Sequence, residues 1–253
     1  MSETYIEEFR KIWTDRASSY SDSVLSQLND GSYTKWLDEV LRDIPENRVL
    51  RVLDVGCGPG FFSIALGRLG HKITGIDYNE EMCKVAARNC GTYGVDADFI
   101  RMDAHNLEFD GESFDLIVSR DVLWNLDDPA RVYDEMFRVL RPGGKITVFD
   151  GNFYLYAHDV AYRGMDVEKH IEIYHKGEVD CRKRLLHVAG LATKLPASMN
   201  RRPQWDASHL MSLGCIKVSM VSDQENQIEF IEDGKRVFLP FTFSVSAFKA
   251  NKD

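Results

Sequence analysis

Three acids, three alternating glycines and one Ser-Arg pair carry the chemistry available to this chain. Asp54, Asp77 and Asp103 each stand at or near the end of an apolar, strand-like run, and Ser119-Arg120 close a fourth. Asp54 leads into Gly56-Cys57-Gly58-Pro59-Gly60. Gly56 and Gly58 have no Cβ to keep a ligand off the backbone and permit positive φ in a tight turn. Free N–H groups at the start of the helix that follows can then face a polar ligand. Asp77 lies 19 residues beyond Gly58. An acid at that spacing can accept both hydroxyls of a ribose, one on each carboxylate oxygen. Residues of this kind suit a nucleoside-derived ligand.

The surrounding elements have to bring these residues together. From Arg51 to Asp150 apolar runs alternate with helical stretches: strands at 51–55, 72–77, 98–103, 114–119 and 145–150, with helices at 61–69, about 79–90 and from Asp127-Asp128-Pro129 to Arg141-Pro142-Gly143-Gly144. That alternation predicts a parallel sheet covered on both faces. Ligands of such sheets bind beyond the carboxyl ends of the strands. Asp54, Asp77, Asp103 and Ser119-Arg120 therefore fall in one row. Residues 5–44 read as helices broken at Asn29-Asp30-Gly31-Ser32 that pack over the core. Residues 151–204 hold His158, His170, His175 and His187 and read as helical cap material. A helix at 205–213, a strand at 216–221, a hairpin turning at Asp233-Gly234 and a last strand at 241–248 complete the chain.

The glycine turn has two readings. A dinucleotide turn, G-x-G-x-x-G, needs a glycine at position 61, which is Phe61. The order Asp54-x-Gly56-x-Gly58-x-Gly60 instead resembles the first motif of the class I S-adenosylmethionine-dependent methyltransferases. Asp103-Ala104-His105-Asn106-Leu107 resembles that family's adenine-side motif, and Leu140-Arg141-Pro142-Gly143-Gly144 its signature before strand five. Trp13-Thr14-Asp15-Arg16-Ala17-Ser18-Ser19-Tyr20 resembles the entry segment of small-molecule members. The resemblance implies a doubly wound, mostly parallel seven-stranded sheet of Rossmann-like methyltransferase type. It divides into N-terminal lid helices (1–47), a cofactor-binding core (48–150), a helical cap inserted after strand five (151–204) and the C-terminal part of the core sheet (205–253).

The resemblance also implies S-adenosylmethionine as cofactor. Asp77 would take the ribose, Asp103 and the Ala104 N–H the adenine, Asp54 and the Gly56 and Gly58 backbone the methionine end, joined by a carbonyl near Arg120. Tyr78 would lie on the adenine. Met82 contacts the ring or the ribose, or fills the helix core. Tyr20 is part of a lid in such relatives, or packs on the core. Many relatives carry a histidine after strand four; here Trp124 and Asn125 occupy that loop and become candidate acceptor-pocket walls, with Tyr154. A base is required only for an acceptor that arrives protonated, and His158 and His175 are the candidates. No metal site is expected.

The function expected is methyl transfer to an O, N or S atom of a small molecule. A non-catalytic cofactor-binding module and a protein or RNA methyltransferase are the alternatives. A net charge of -9 argues against a nucleic-acid partner. Cys57, Cys83, Cys90, Cys181 and Cys215 are scattered without a C-x-x-C pair, which fits a reducing, cytoplasmic setting. No apolar run approaches the ~20 residues of a membrane span.

Overall fold

The computed structural model describes residues 3–45, 48–174, 181–224 and 226–251. Strands β1 (Arg51–Val55), β2 (Lys72–Asp77), β3 (Ala97–Arg101), β4 (Phe114–Arg120) and β5 (Leu140–Gly151) are parallel to one another. With β6 (Cys215–Ser222) and β9 (Thr242–Lys249) they form a seven-stranded sheet in the order β3-β2-β1-β4-β5-β9-β6. β9 runs antiparallel to both β5 and β6. The order reverses between β1 and β4, and that is where the crevice opens. Strand β5 begins earlier than the sequence suggests: Leu140 already pairs with Phe114, and an irregularity precedes the Lys145–Leu116 pair.

Successive residues of the central strands feed opposite faces, so these strands are apolar throughout. Leu53, Ile117 and Ile146 join one core with Val132 and Met136 of α5 (Pro129–Val139) and Leu210 of α8 (Gln204–Ser212). Val52, Leu116 and Val118 join the other, with Val24 of α1 (Glu3–Asn29), Val40 of α2 (Thr34–Leu41) and Ile64 of α3 (Phe61–Gly67). Helix α4 (Glu80–Thr92) starts where the Asn79 side chain accepts the Glu81 N–H, with two glutamates in the first turn to suit the helix dipole. Asp128 caps α5 in the same way, ahead of Pro129.

Two buried polar devices fasten the periphery. Lys145 Nζ donates to the carbonyls of Glu39 (2.6 Å), Val40 (3.1 Å) and Arg42 (3.1 Å), capping the C-terminal end of α2; burial pushes this ammonium down to about 8. Arg202, fully buried, donates to Asp150 Oδ2 at 2.7 Å and to both oxygens of Asp206, whose Oδ1 also accepts the Tyr133 hydroxyl. That network ties the end of β5 to α5 and α8.

After β5 come short 3-10 turns at Leu155–Ala157 and Val160–Met165, then α6 (Val167–Tyr174), α7 (Cys181–Ala192) and a further 3-10 turn at Pro196–Ser198. Val167, Leu185, Val188 and Ala192 pack with Phe9 of α1 and with Trp124. A separate hairpin, β7 (Gln227–Glu232) and β8 (Lys235–Pro240), turns at Asp233 and Gly234, both with positive φ, and packs Ile228 against Tyr162 and Phe241.

Candidate functional site

The carboxyl ends of β1 to β4 open into a cavity of about 200 Å³. Helix α1 roofs it with Phe9, Trp13, Tyr20 and Val24, which share one face of the helix. Thr14 Oγ1 accepts Asn79 Nδ2 at 2.8 Å and Ser21 Oγ accepts Asn89 Nδ2 at 3.0 Å, holding that roof to α4.

The floor is the glycine turn. Gly56, Gly58 and Gly60 have φ of +66°, +50° and +94°. A Cβ on Gly56 would come within 2.4 Å of Val122 Cγ2, so the β1 and β4 loops approach only because it is glycine. A Cβ on Gly58 would point at Tyr20 Cε1, 3.5 Å away, into the space between turn and roof. Asp77 Oδ2 accepts the Gly58 N–H at 3.0 Å and Oδ1 accepts the Asn79 N–H at 2.8 Å. Each oxygen keeps a second lone pair. Burial of the carboxylate raises Asp77 to about 6, against the opposing pull of those two N–H groups.

Asp54 is turned under the floor. Its Oδ2 accepts the Ser63 N–H (3.0 Å) and hydroxyl (2.7 Å) at the start of α3, and burial raises its pKa to about 6. Asp54 therefore anchors the helix as well as lining the cavity.

At the β3 end Tyr78, Met82, Met102 and Ala104 line the cavity. Tyr78 is 38 % exposed and Met82 2 %, packed with Ala17 and Val85. Asp103, an exposed residue, takes the His105 N–H on Oδ1 at 2.9 Å, and the same oxygen lies 2.7 Å from His105 Nδ1. His105 Nε2 is 3.3 Å from Asp127 Oδ1. The imidazole thus lies between the loops that follow β3 and β4.

At the β4 end the Arg120 side chain enters the cavity, only 11 % exposed. Its guanidinium carbon lies 3.8 Å from the Phe61 ring centroid, and Nη1 donates to Gln27 Oε1 of α1 at 3.0 Å. The Arg120 side chain is thus not a surface charge: its guanidinium lies on an aromatic face at the cavity. Asp121 follows at φ +57°, a left-handed conformation costing about 1 kcal/mol. Asn125 lines the cavity beside it.

Residues 53–148 match the family model described as "Methyltransferase domain". Over those residues the chain is similar to a methyltransferase domain. Demethylmenaquinone methyltransferase of Listeria welshimeri is 32 % identical over 155 residues, 59 % of this chain and 65 % of that protein. Ubiquinone biosynthesis O-methyltransferase of Parvibaculum lavamentivorans is 33 % identical over 117 residues, 46 % of each chain. The matched region thus spans about half to two thirds of these curated relatives. A SAM-dependent methyltransferase from Aquifex aeolicus shares the fold at 18 % identity, with a TM-score of 0.55 over 90 % of this chain and 97 % of its own.

The cavity gathers Tyr20, Asp54, Gly56, Gly58, Asp77, Tyr78, Met82, Asp103, Ala104, Arg120 and Asn125. The other expected site residues that the structure describes do not line it. His158 does not line the cavity: it is exposed, and its Nε2 lies 2.6 Å from the Thr193 carbonyl oxygen. His175 lies outside the described residues. Trp124 and Tyr154 stand behind the cavity wall, ring centroids 5.4 Å apart, in an aromatic cluster with Phe9 and Trp13. Trp124 Nε1 donates to the Asp121 carbonyl at 2.9 Å.

The sequence placed His105 and Trp13 only inside motifs and did not single out Asp121, Asp127 or Phe9 as site residues. Phe9 and Trp13 stand four residues apart, at helical spacing. Asp121 had no signal beyond following Arg120, because its place in the cavity depends on a left-handed backbone turn.

Proposed function

We propose that this chain transfers a methyl group from S-adenosylmethionine to an O, N or S atom of a small molecule. One observation carries the reading: the glycine turn and Asp77 are joined by a hydrogen bond inside a cavity that also holds Asp54 and Asp103. The residues present fit the cofactor's donor set. Asp77 has a lone pair left on each oxygen for the two ribose hydroxyls. Asp103 and the Ala104 N–H can address the adenine edge, while Asp54 and Arg120 offer opposite charges to an ammonium and a carboxylate. Gly56 and Gly58 leave room for close approach.

The bound cofactor supplies a methyl group on a sulfonium, already activated for displacement. The protein's own residues bind, align and dry the reactants, which lowers the barrier by proximity and orientation. Phe9, Trp13 and Tyr20 exclude water from above, and we assign residues 1–47 and 151–204 to that covering role. The curated relatives are named for quinone-type small molecules, and the net charge of -9 disfavours a polyanionic acceptor. No helix among the described residues is long and apolar enough to cross a membrane. We place the protein in the cytoplasm on its cysteine usage.

Incubation with S-adenosylmethionine and a metabolite library tests the reading, with release of S-adenosylhomocysteine as the signal. Binding without release in any pool would favour the non-catalytic module. A chain that fails to bind the cofactor would sink the proposal.

A further inference from the structure

The sheet order β3-β2-β1-β4 sets four strand-end acids in a row: Asp103, Asp77, Asp54 and Asp121. Neighbouring strands are ~4.8 Å apart, so each acid faces a different part of a ligand lying across them. Three of the four are committed to protein partners: Asp103 to His105, Asp77 to two backbone N–H groups, Asp54 to Ser63. Asp121 is different. Its backbone is pinned by a 2.9 Å bond from its N–H to the Phe149 carbonyl and by the Trp124 indole on its own carbonyl. Its carboxylate makes no hydrogen bond among the described residues, and Arg120 Nε is 3.8 Å away. A left-handed turn holds this unspent carboxylate in the cavity, at the strand beyond the one that ends in the glycine turn.

Resting on the methyltransferase reading, we propose that Asp121 meets the methyl acceptor at the point of transfer, and that the acceptor is a neutral O–H or N–H donor. As the acceptor's lone pair forms the bond to the methyl carbon, the carbon–sulfur pair returns to sulfur. The acceptor's proton passes to the Asp121 carboxylate and from there to water. The walls on this side, Phe61, Phe62 and Tyr20, suit a planar apolar body behind the reacting atom. An anionic acceptor atom would be repelled by the same carboxylate. The charged or titratable groups that face Asp121 are Arg120 on its own strand, Tyr20 from α1 and Asp150 from β5. Burial raises the Asp121 pKa, which suits a proton acceptor.

Sinefungin tests this without knowledge of the acceptor, because its side chain carries an amine where the cofactor carries its methyl. Calorimetry on the full chain compares sinefungin with S-adenosylhomocysteine, in wild type and in Asp121→Asn. Asparagine keeps the shape and tolerates the left-handed backbone. The expected result is a loss of about tenfold or more for sinefungin in the variant, with S-adenosylhomocysteine held within about twofold. Lowering the pH from about 7 to about 5 should shrink the wild-type preference for sinefungin and leave that of the variant flat. Equal losses for both ligands, or no loss for sinefungin, would overturn the assignment. If wild type binds neither ligand, it is the methyltransferase reading that fails.

Discussion

The backbone N–H of Gly58 donates to Asp77 Oδ2 at 3.0 Å, so the turn after β1 and the acid that ends β2 form one unit. The bond is charge-assisted and orients the carboxylate before any ligand arrives. Asn79 completes the arrangement from the other side and starts α4 with its own side chain.

Asp77→Ala removes both carboxylate oxygens proposed to accept the ribose hydroxyls and leaves the Gly58 N–H without its partner. We expect S-adenosylmethionine affinity to drop about 10- to 100-fold, the loss appropriate to one or two hydrogen bonds to a charged group. Titration calorimetry reads this directly. Unchanged affinity would remove Asp77 from the site.

Cofactor affinity should fall as the pH drops below about 6, because Asp54 and Asp77 are raised to about 6 by burial. A cofactor that binds the ionised forms must displace protons there, so the dissociation constant climbs by up to about tenfold per pH unit for each titrating group and is flat above about 6. The effect on stability has the opposite sign. Both acids hold their protons more tightly folded than unfolded, so between about pH 6 and the ordinary carboxylate range near 4 their protonation stabilises the free chain. Affinity and melting temperature measured over that window should therefore diverge. A parallel fall would mean acid unfolding, not titration of the site.

Gly56→Ala combines a positive φ with a Cβ 2.4 Å from Val122 Cγ2. A cost of about 2–4 kcal/mol follows from backbone strain plus overpacking. Denaturant unfolding measures it. Adding Val122→Ala should recover only the packing part, and full recovery would show that the backbone conformation is unstrained.

Asp206→Ala leaves Arg202 buried with Asp150 as its remaining carboxylate. Breaking a buried ion network by removing one partner, here also the acceptor of the Tyr133 hydroxyl, costs about 3–5 kcal/mol, which chemical denaturation would register. A loss below about 1 kcal/mol would mean that water or a local shift replaces Asp206.

By itself the sequence determined the alternation of strands and helices, the glycine turn and the acids Asp77 and Asp103 at fixed offsets from it. These are local properties: side-chain periodicity marks a strand buried on both faces, and only glycine serves where φ is positive or a neighbouring loop comes too close. The part of the cavity proposed for the cofactor was legible for the same reason, since its acids stand at strand ends. The part proposed for the acceptor was not. Asp121 lines the cavity from a residue that turns left-handed. Arg120 matters because Gln27 and Phe61, 93 and 59 positions away, hold its guanidinium inside. His158 looked well placed on chain distance from β5, yet the fold directs it to the Thr193 carbonyl at the surface. Direction of a side chain out of a loop depends on packing against distant elements, and only the tertiary structure decides that.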